Sequence, residues 1–163
     1  MTDDTATQVS PPRGGSLSDI HIVNEYPHPP EKVWRVLTDP ALIPLWTKEG
    51  LGGRADGFVP TAGTRFRLVA KPQPFWRGFV DCEVIEARAP WLLRYSWIGD
   101  EGERPTLVAY RLEPIAGGTR FTFDHTGFSG VGGWIVSGVL RRVRKKMLGV
   151  GLPGVLDALD DRA

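Results

Sequence analysis

The spacing of apolar residues changes once along this chain, near residue 128. Between residues 63 and 128, apolar and polar residues alternate in several short segments, which is the period of strands with one buried face. Beyond that point, apolar residues recur at 136, 140, 143 and 147, which is the period of an amphipathic helix. The sequence therefore predicts an α+β fold in which a sheet is followed by one long C-terminal helix.

The predicted strands are joined by short connections. The six strand candidates are residues 17–27, 63–70, 76–87, 91–99, 106–114 and 117–128. Most of these connections are too short for a crossover, so neighbouring strands should run antiparallel.

Two short helices are predicted after the first strand. Residues 28–40 contain prolines suited to a first helical turn, Glu31 near its positive end and Pro40 as a stop. Residues 41–48 predict a second, shorter helical segment.

The C-terminal helix is predicted to start near residue 130. Its glycines at 149 and 151, together with Pro153, should bend or interrupt it. The inward face is predicted to carry Leu140, Val143 and Met147. The basic residues are then left for the outer face, where they are interpreted as solvated, with an acidic partner or an anionic membrane surface as the alternative: Arg141, Arg142, Arg144, Lys145 and Lys146.

Length and composition limit the classes of protein. A chain of 163 residues suits one domain, predicted over 18–163, and the polar residues 1–17 predict a disordered tail. The net charge of +1 argues against a nucleic-acid partner. The single cysteine excludes an intrachain disulfide and is compatible with a cytoplasmic protein. No apolar run approaches the about 20 residues of a membrane span, so no stable membrane insertion is expected.

Motifs for metal, cofactor or covalent chemistry are weak. The three histidines lie far apart and lack metal-ligand spacing, so no metal site is predicted. The stretch "GVGLPG" at residues 149–154 follows a basic helix instead of a strand, which argues against a dinucleotide site, and no cofactor is expected. No catalytic residue is assigned, and whether the protein is an enzyme stays open.

The inward strand positions carry an unusual set of aromatic residues. A packed core explains most of them, but a mainly apolar wall with a few polar tips is also typical of a small-molecule pocket. The candidate ligand-binding residues are Trp46, Phe58, Tyr95, Trp97, Tyr110, Phe123, His125, Val136 and Leu140.

His125 shares a strand face with Phe121 and Phe123. We therefore expect a buried, hydrogen-bonded ring whose pKa is lowered by its apolar setting. A ligand anchor and an acid/base catalyst are the alternatives.

The order of these elements resembles the START-like SRPBCC superfamily, the helix-grip fold of the birch-pollen allergen. The closest likeness is to bacterial homologues of the heat-shock-chaperone ATPase activator. The resemblance covers about residues 18–160, and it is carried by "PPEKVWRVLTDPALIPLW" (29–46), "GFVDCEVIEARAPWLLRYSW" (78–97), "GGTRFTFDHTGF" (117–128) and "GVGLPGVLDAL" (149–159).

The resemblance implies a curved seven-stranded antiparallel sheet wrapped around the long C-terminal helix, usually with an apolar cavity between them. It also implies binding of a small apolar or aromatic molecule, as in a carrier, sensor or sequestering protein. The alternatives are an enzyme like the polyketide cyclases and aromatases, and a protein-binding module like the co-chaperones. A monomer and a homodimer are both compatible with the sequence.

Overall fold

The computed structural model describes residues 18–50, 52–74, 76–100 and 102–160. The predicted tail at residues 1–17 lies outside the described residues. The elements follow one another as β1 (Ile20–Tyr26), α1 (Pro30–Thr38), α2 (Ile43–Thr47), β2 (Arg54–Asp56), β3 (Arg65–Val69), β4 (Phe79–Arg88), β5 (Leu92–Ile98), β6 (Thr106–Ile115), β7 (Gly118–Thr126), α3 (Gly130–Lys146), a π-helical turn (Met147–Gly151) and α4 (Leu152–Asp160).

The described strands form one seven-stranded antiparallel sheet in the order β1-β7-β6-β5-β4-β3-β2. The sheet is curled into a half-barrel. A shift of register between Val84 and Glu86 interrupts the pairing of β4 with β5, and such bulges increase the local bend of a strand. The predicted helix-grip architecture is therefore confirmed.

The alternation of the sequence sets which strand face is buried. In β7, Thr119, Phe121, Phe123 and His125 are all fully buried. On the outer face of β4, Asp81 pairs with Arg67 at 2.8 Å, as expected of a solvated face. The strand β2 was not among the pattern-based candidates, because three residues inside a glycine-rich stretch are too few to show a period.

The helix α1 buries the residues that its spacing predicts. In α1, Val33, Trp34 and Leu37 are buried. The C-terminal helix begins at Gly130, and the predicted interruption is the π-helical turn that contains Gly149 and Gly151. None of the helices in the described residues combines the length and the apolarity that crossing a membrane requires.

The prediction for Arg144 is wrong. Its side chain is buried, with only 6% of its surface exposed, and it does not lie on the outer face of α3. The reason is helical geometry: residue 144 follows Leu140 by four positions and precedes Met147 by three, so all three share the inward face. Polarity alone assigned Arg144 to solvent, whereas Arg142, Lys145 and Lys146 are exposed as predicted.

Candidate functional site

A cavity of about 610 Å³ lies between the concave face of the sheet and α3. Its walls come from α1 and α2, from the inner faces of β2 to β6, and from one side of α3. Most of the lining side chains are apolar or aromatic, as expected where a single helix does not fill the concave side of a curved sheet.

Seven of the nine predicted site residues line this cavity. They are Trp46, Phe58, Tyr95, Trp97, Tyr110, Val136 and Leu140. The structure does not place Phe123 or His125 on the wall, because both are fully buried behind it. The alternation of strand residues identified the correct face for these two side chains, but it carries no information about how deeply they lie behind the wall.

Several lining residues lie outside the predicted set. Phe66 shows the same inward parity as its neighbours, so its alternation could have identified it. Arg144 also lines the cavity, and only its four-residue spacing from Leu140 could have indicated this.

Aromatic rings on β3, β5 and β6, together with one on the loop before β3, form a continuous wall. The ring of Phe66 meets that of Phe58 at 4.9 Å and that of Tyr95 at 5.4 Å, and Tyr95 meets Tyr110 at 5.7 Å, all edge to face. Trp46 adds a fixed ring from α2, because its indole N–H donates to the Val36 carbonyl at 2.9 Å. These contacts favour a preformed wall over a mobile one.

The cavity has one polar region. The hydroxyls of Tyr95 and Tyr110 lie 3.2 Å apart, within hydrogen-bond distance. The guanidinium of Arg144 lies 5.0 Å from the centre of the Phe123 ring and 5.3 Å from that of Trp97. Burial acts to lower the pKa of Arg144, but the nearby Tyr95 and Tyr110 outweigh it and the pKa is raised. Arg144 therefore carries a full positive charge.

Among the described residues, His125 forms one hydrogen bond, through one of its two ring nitrogens. Its Nε2 lies 2.7 Å from the Thr106 hydroxyl, and its Nδ1 has no hydrogen-bond partner among the described residues. Burial, with a smaller contribution from Arg144, lowers the pKa of His125 to about 3. The predicted lowering of this pKa is confirmed, and the hydrogen-bond partner of the ring is the Thr106 hydroxyl.

The mouth of the cavity lies beside the first half of α3. Ile135, Val136 and Val139 line the cavity and are also more than half exposed, at 57%, 51% and 55%. Two carboxylates at the mouth already have partners. Asp100 lies 3.8 Å from the Arg77 guanidinium, and Glu103 accepts a hydrogen bond from the Asp100 N–H at 3.2 Å.

The site offers binding groups and little covalent chemistry. Cys82 is buried behind the wall, and burial raises the pKa of its thiol, so it is no thiolate nucleophile. Among the described residues, no three His, Cys, Asp or Glu side chains lie close enough together to hold a metal ion.

A curled seven-stranded sheet around a C-terminal helix defines a helix-grip protein of the SRPBCC superfamily. Within it, the chain belongs to the family of Activator of Hsp90 ATPase homolog 1-like proteins, whose model matches residues 27–160.

Solved structures share the fold of this chain. A protein from Mesorhizobium loti is 28% identical, with 86% of this chain and 97% of that chain covered and a TM-score of 0.73. A protein from Rhodobacter sphaeroides is 26% identical, with 89% and 95% covered and a TM-score of 0.71.

DynU16, from the dynemicin biosynthetic locus, shares the fold at 22% identity and a TM-score of 0.68, with 86% of this chain and 47% of DynU16 covered. Among curated proteins, none is significantly similar to this chain in sequence.

Proposed function

We propose that this protein binds a small apolar or aromatic molecule in the cavity between the sheet and α3, as a carrier, sensor or sequestering protein. The observation that carries the proposal is the cavity itself, about 610 Å³ of space lined mostly by apolar and aromatic side chains. Pockets of this size and lining are typical of small-molecule sites. The SRPBCC fold commonly binds hydrophobic ligands, which supports the same function.

An enzyme like the polyketide cyclases is the second candidate. The fold of DynU16, which comes from a biosynthetic locus, is compatible with it. Such an enzyme could act by holding a reactive chain in shape, without a covalent intermediate. However, His125, whose pKa is strongly lowered, lies behind the cavity wall, and the carboxylates at the mouth have partners. The site therefore favours binding over acid/base catalysis.

A protein-binding module is the third candidate. It would use apolar surface outside the cavity, and Val131 and Trp134 on α3 are exposed at 75% and 58%. The neighbouring exposed side chains of α3 belong to the mouth of the cavity. The exposed apolar surface is therefore explained by ligand entry at least as well as by protein binding.

The test uses a neutral fluorescent probe, pyrene-butanol, whose binding would quench tryptophan fluorescence from residues such as Trp46 and Trp97 at the cavity. We expect saturable binding to the wild-type protein. Leu140→Trp adds a large ring to the lining face of α3, and it should weaken binding at least about tenfold, which corresponds to about 1.4 kcal/mol.

The matched control is Lys145→Trp, which adds the same ring on the exposed face of the same helix. It should bind the probe as the wild type does. Equal binding by both variants, or no saturable binding to the wild type, would contradict a cavity site. If the cavity binds the probe as expected, mass spectrometry of molecules that copurify from the native host would identify the natural ligand.

A further inference from the structure

The buried charge of Arg144 has no counter-ion among the residues that the structure describes. Its side chain is 6% exposed, and the guanidinium faces the cavity. Within residues 18–50, 52–74, 76–100 and 102–160, no carboxylate forms an ion pair with it. Burying a cation without an opposite charge is strongly unfavourable, so such an arrangement calls for a compensating group.

The described neighbours of Arg144 supply ring faces and hydroxyl groups but no negative charge. The rings of Phe123 and Trp97 contribute cation–π attraction, and the hydroxyls of Tyr95 and Tyr110 are neutral dipoles. A guanidinium has five N–H donors in a planar fork, more than two hydroxyl groups can satisfy. The only fully enclosed and unpartnered side-chain nitrogen or oxygen among the described residues is His125 Nδ1. Guanidinium N–H groups without a partner are therefore open to the cavity.

Arg144 is also the sole basic side chain among the described residues that line the cavity. One cation balances one negative charge, which favours a monoanion over a phosphate with two charges. The planar fork of the guanidinium matches the two oxygens of a carboxylate. The hydroxyls of Tyr95 and Tyr110, 3.2 Å apart, can donate a further hydrogen bond to one of these oxygens.

We propose that the ligand of this cavity is an amphipathic monocarboxylic acid, whose carboxylate is bound by Arg144 beside Tyr95 and Tyr110 and whose apolar or aromatic body fills the rest of the cavity. This inference rests on the proposed function, because it assigns the chemical class of the molecule that the same cavity binds. A bound carboxylate would also supply the negative charge that balances the buried Arg144, which packing alone does not.

The test compares two probes with the same apolar body, pyrene-butyrate and pyrene-butanol. An apolar cavity without an anion site would bind the alcohol better, because a carboxylate loses its hydration on entry. If Arg144 is the anchor, the wild-type protein should bind pyrene-butyrate at least about tenfold more tightly than pyrene-butanol, since hydrogen bonds to charged groups are the strong ones.

The deciding variant is Arg144→Met, which keeps a long apolar stem and removes the charge. It should lose the preference for pyrene-butyrate while still binding pyrene-butanol. Arg144→Lys should keep a reduced preference, because it keeps the charge without the fork. Arg142→Met, which removes an exposed charge from the same helix, should behave as the wild type does. Thermal unfolding of each variant checks that it is folded.

Three results would overturn the inference. A wild-type protein that binds both probes equally, or prefers the alcohol, has no anion site, although the proposed function stands. An Arg144→Met variant that is less stable but keeps the preference would assign Arg144 to the fold alone. If neither probe binds to the wild-type protein, the proposed function is wrong and the inference is wrong with it.

Discussion

At the scale of single residues, His125 shows how burial decides the chemistry of a side chain. The imidazole is fully buried, makes one hydrogen bond through Nε2, and lies close to the positive charge of Arg144. Both the apolar surroundings and that charge oppose protonation. A ring held neutral behind the cavity wall is a structural group, and it is poorly placed to exchange protons with a bound ligand.

This burial predicts a pH-dependent stability. The pKa of His125 is about 3 in the folded protein, against the ordinary 6.5 expected in the unfolded chain. Between these two pH values the unfolded state binds more protons, so stability falls as the pH is lowered from about 6.5 towards about 3. The contribution of His125 is at most about 1.4 kcal/mol per pH unit. Urea unfolding at several pH values measures this slope.

His125→Gln should flatten the slope, because glutamine can donate to Thr106 but does not titrate. His21→Gln is the control, since it removes an exposed histidine and leaves His125 in place. If the two variants lose stability equally between pH 6 and pH 4, the buried ring of His125 is not the cause of the pH-dependent loss of stability.

Two phenylalanines allow the cavity wall to be compared with the packed core. Phe123 is fully buried and off the wall, whereas Phe66 lines the cavity. Phe123→Ala should lower the free energy of unfolding by about 3–5 kcal/mol, the usual cost of this change in a core. Phe66→Ala should cost at least about 1 kcal/mol less, because one side of that ring already faces empty space. Chemical denaturation compares them, and equal costs would argue against the cavity.

At the scale of elements, the π-helical turn brings the C-terminal helix against α2. Gly151 lies so close to the backbone carbonyl of Trp46 that an added Cβ would overlap it. Glycine is required there by this close approach, since its φ angle is not in the left-handed region. The turn thereby holds α4 in contact with α1 and α2.

Gly151→Ala should therefore destabilise the protein by about 1–3 kcal/mol, the usual cost of overpacking. Gly149→Ala is the matched control, because its Cβ would meet nothing within 4 Å. That change should be neutral or stabilising by up to about 1 kcal/mol, since alanine favours helix. Thermal unfolding of both variants checks the pair. A harmless Gly151→Ala would show that the close approach is not required.

At the scale of the whole molecule, the cavity makes local stability differ between α3 and the sheet. The first half of α3 rests against empty space and exposes much of its apolar surface, whereas β6 and β7 are paired along their whole length. Segments with few buried contacts open most readily.

We therefore expect the amides of residues 130–140 to exchange with solvent faster than those of β7. Saturating pyrene-butanol should slow exchange in α3 more than in the sheet, because a bound molecule supplies the missing contacts. Hydrogen exchange followed by mass spectrometry measures both segments. Uniform protection with and without the probe would contradict this difference.

The sequence by itself determined the local structure. The alternation in residues 106–114 and 117–128 specified strands and their buried faces, and the change of period after residue 128 specified the C-terminal helix. These features are readable because strand and helix periods are properties of the backbone. The curvature and the seventh strand were implied only by the family resemblance, since β2 is too short to show a period.

Only the tertiary structure decided how deeply each inward side chain is buried and where the cavity lies. Parity gave Tyr95, Phe123 and His125 the same inward face, yet only Tyr95 lines the cavity. Helical spacing put Arg144 on the inward face of α3, against its polarity, and its burial depends on the rings of Trp97 and Phe123 around it. The cavity is the mismatch between a curled sheet and a single helix. No local pattern encodes that mismatch, because it arises from how two elements distant in the sequence fit together.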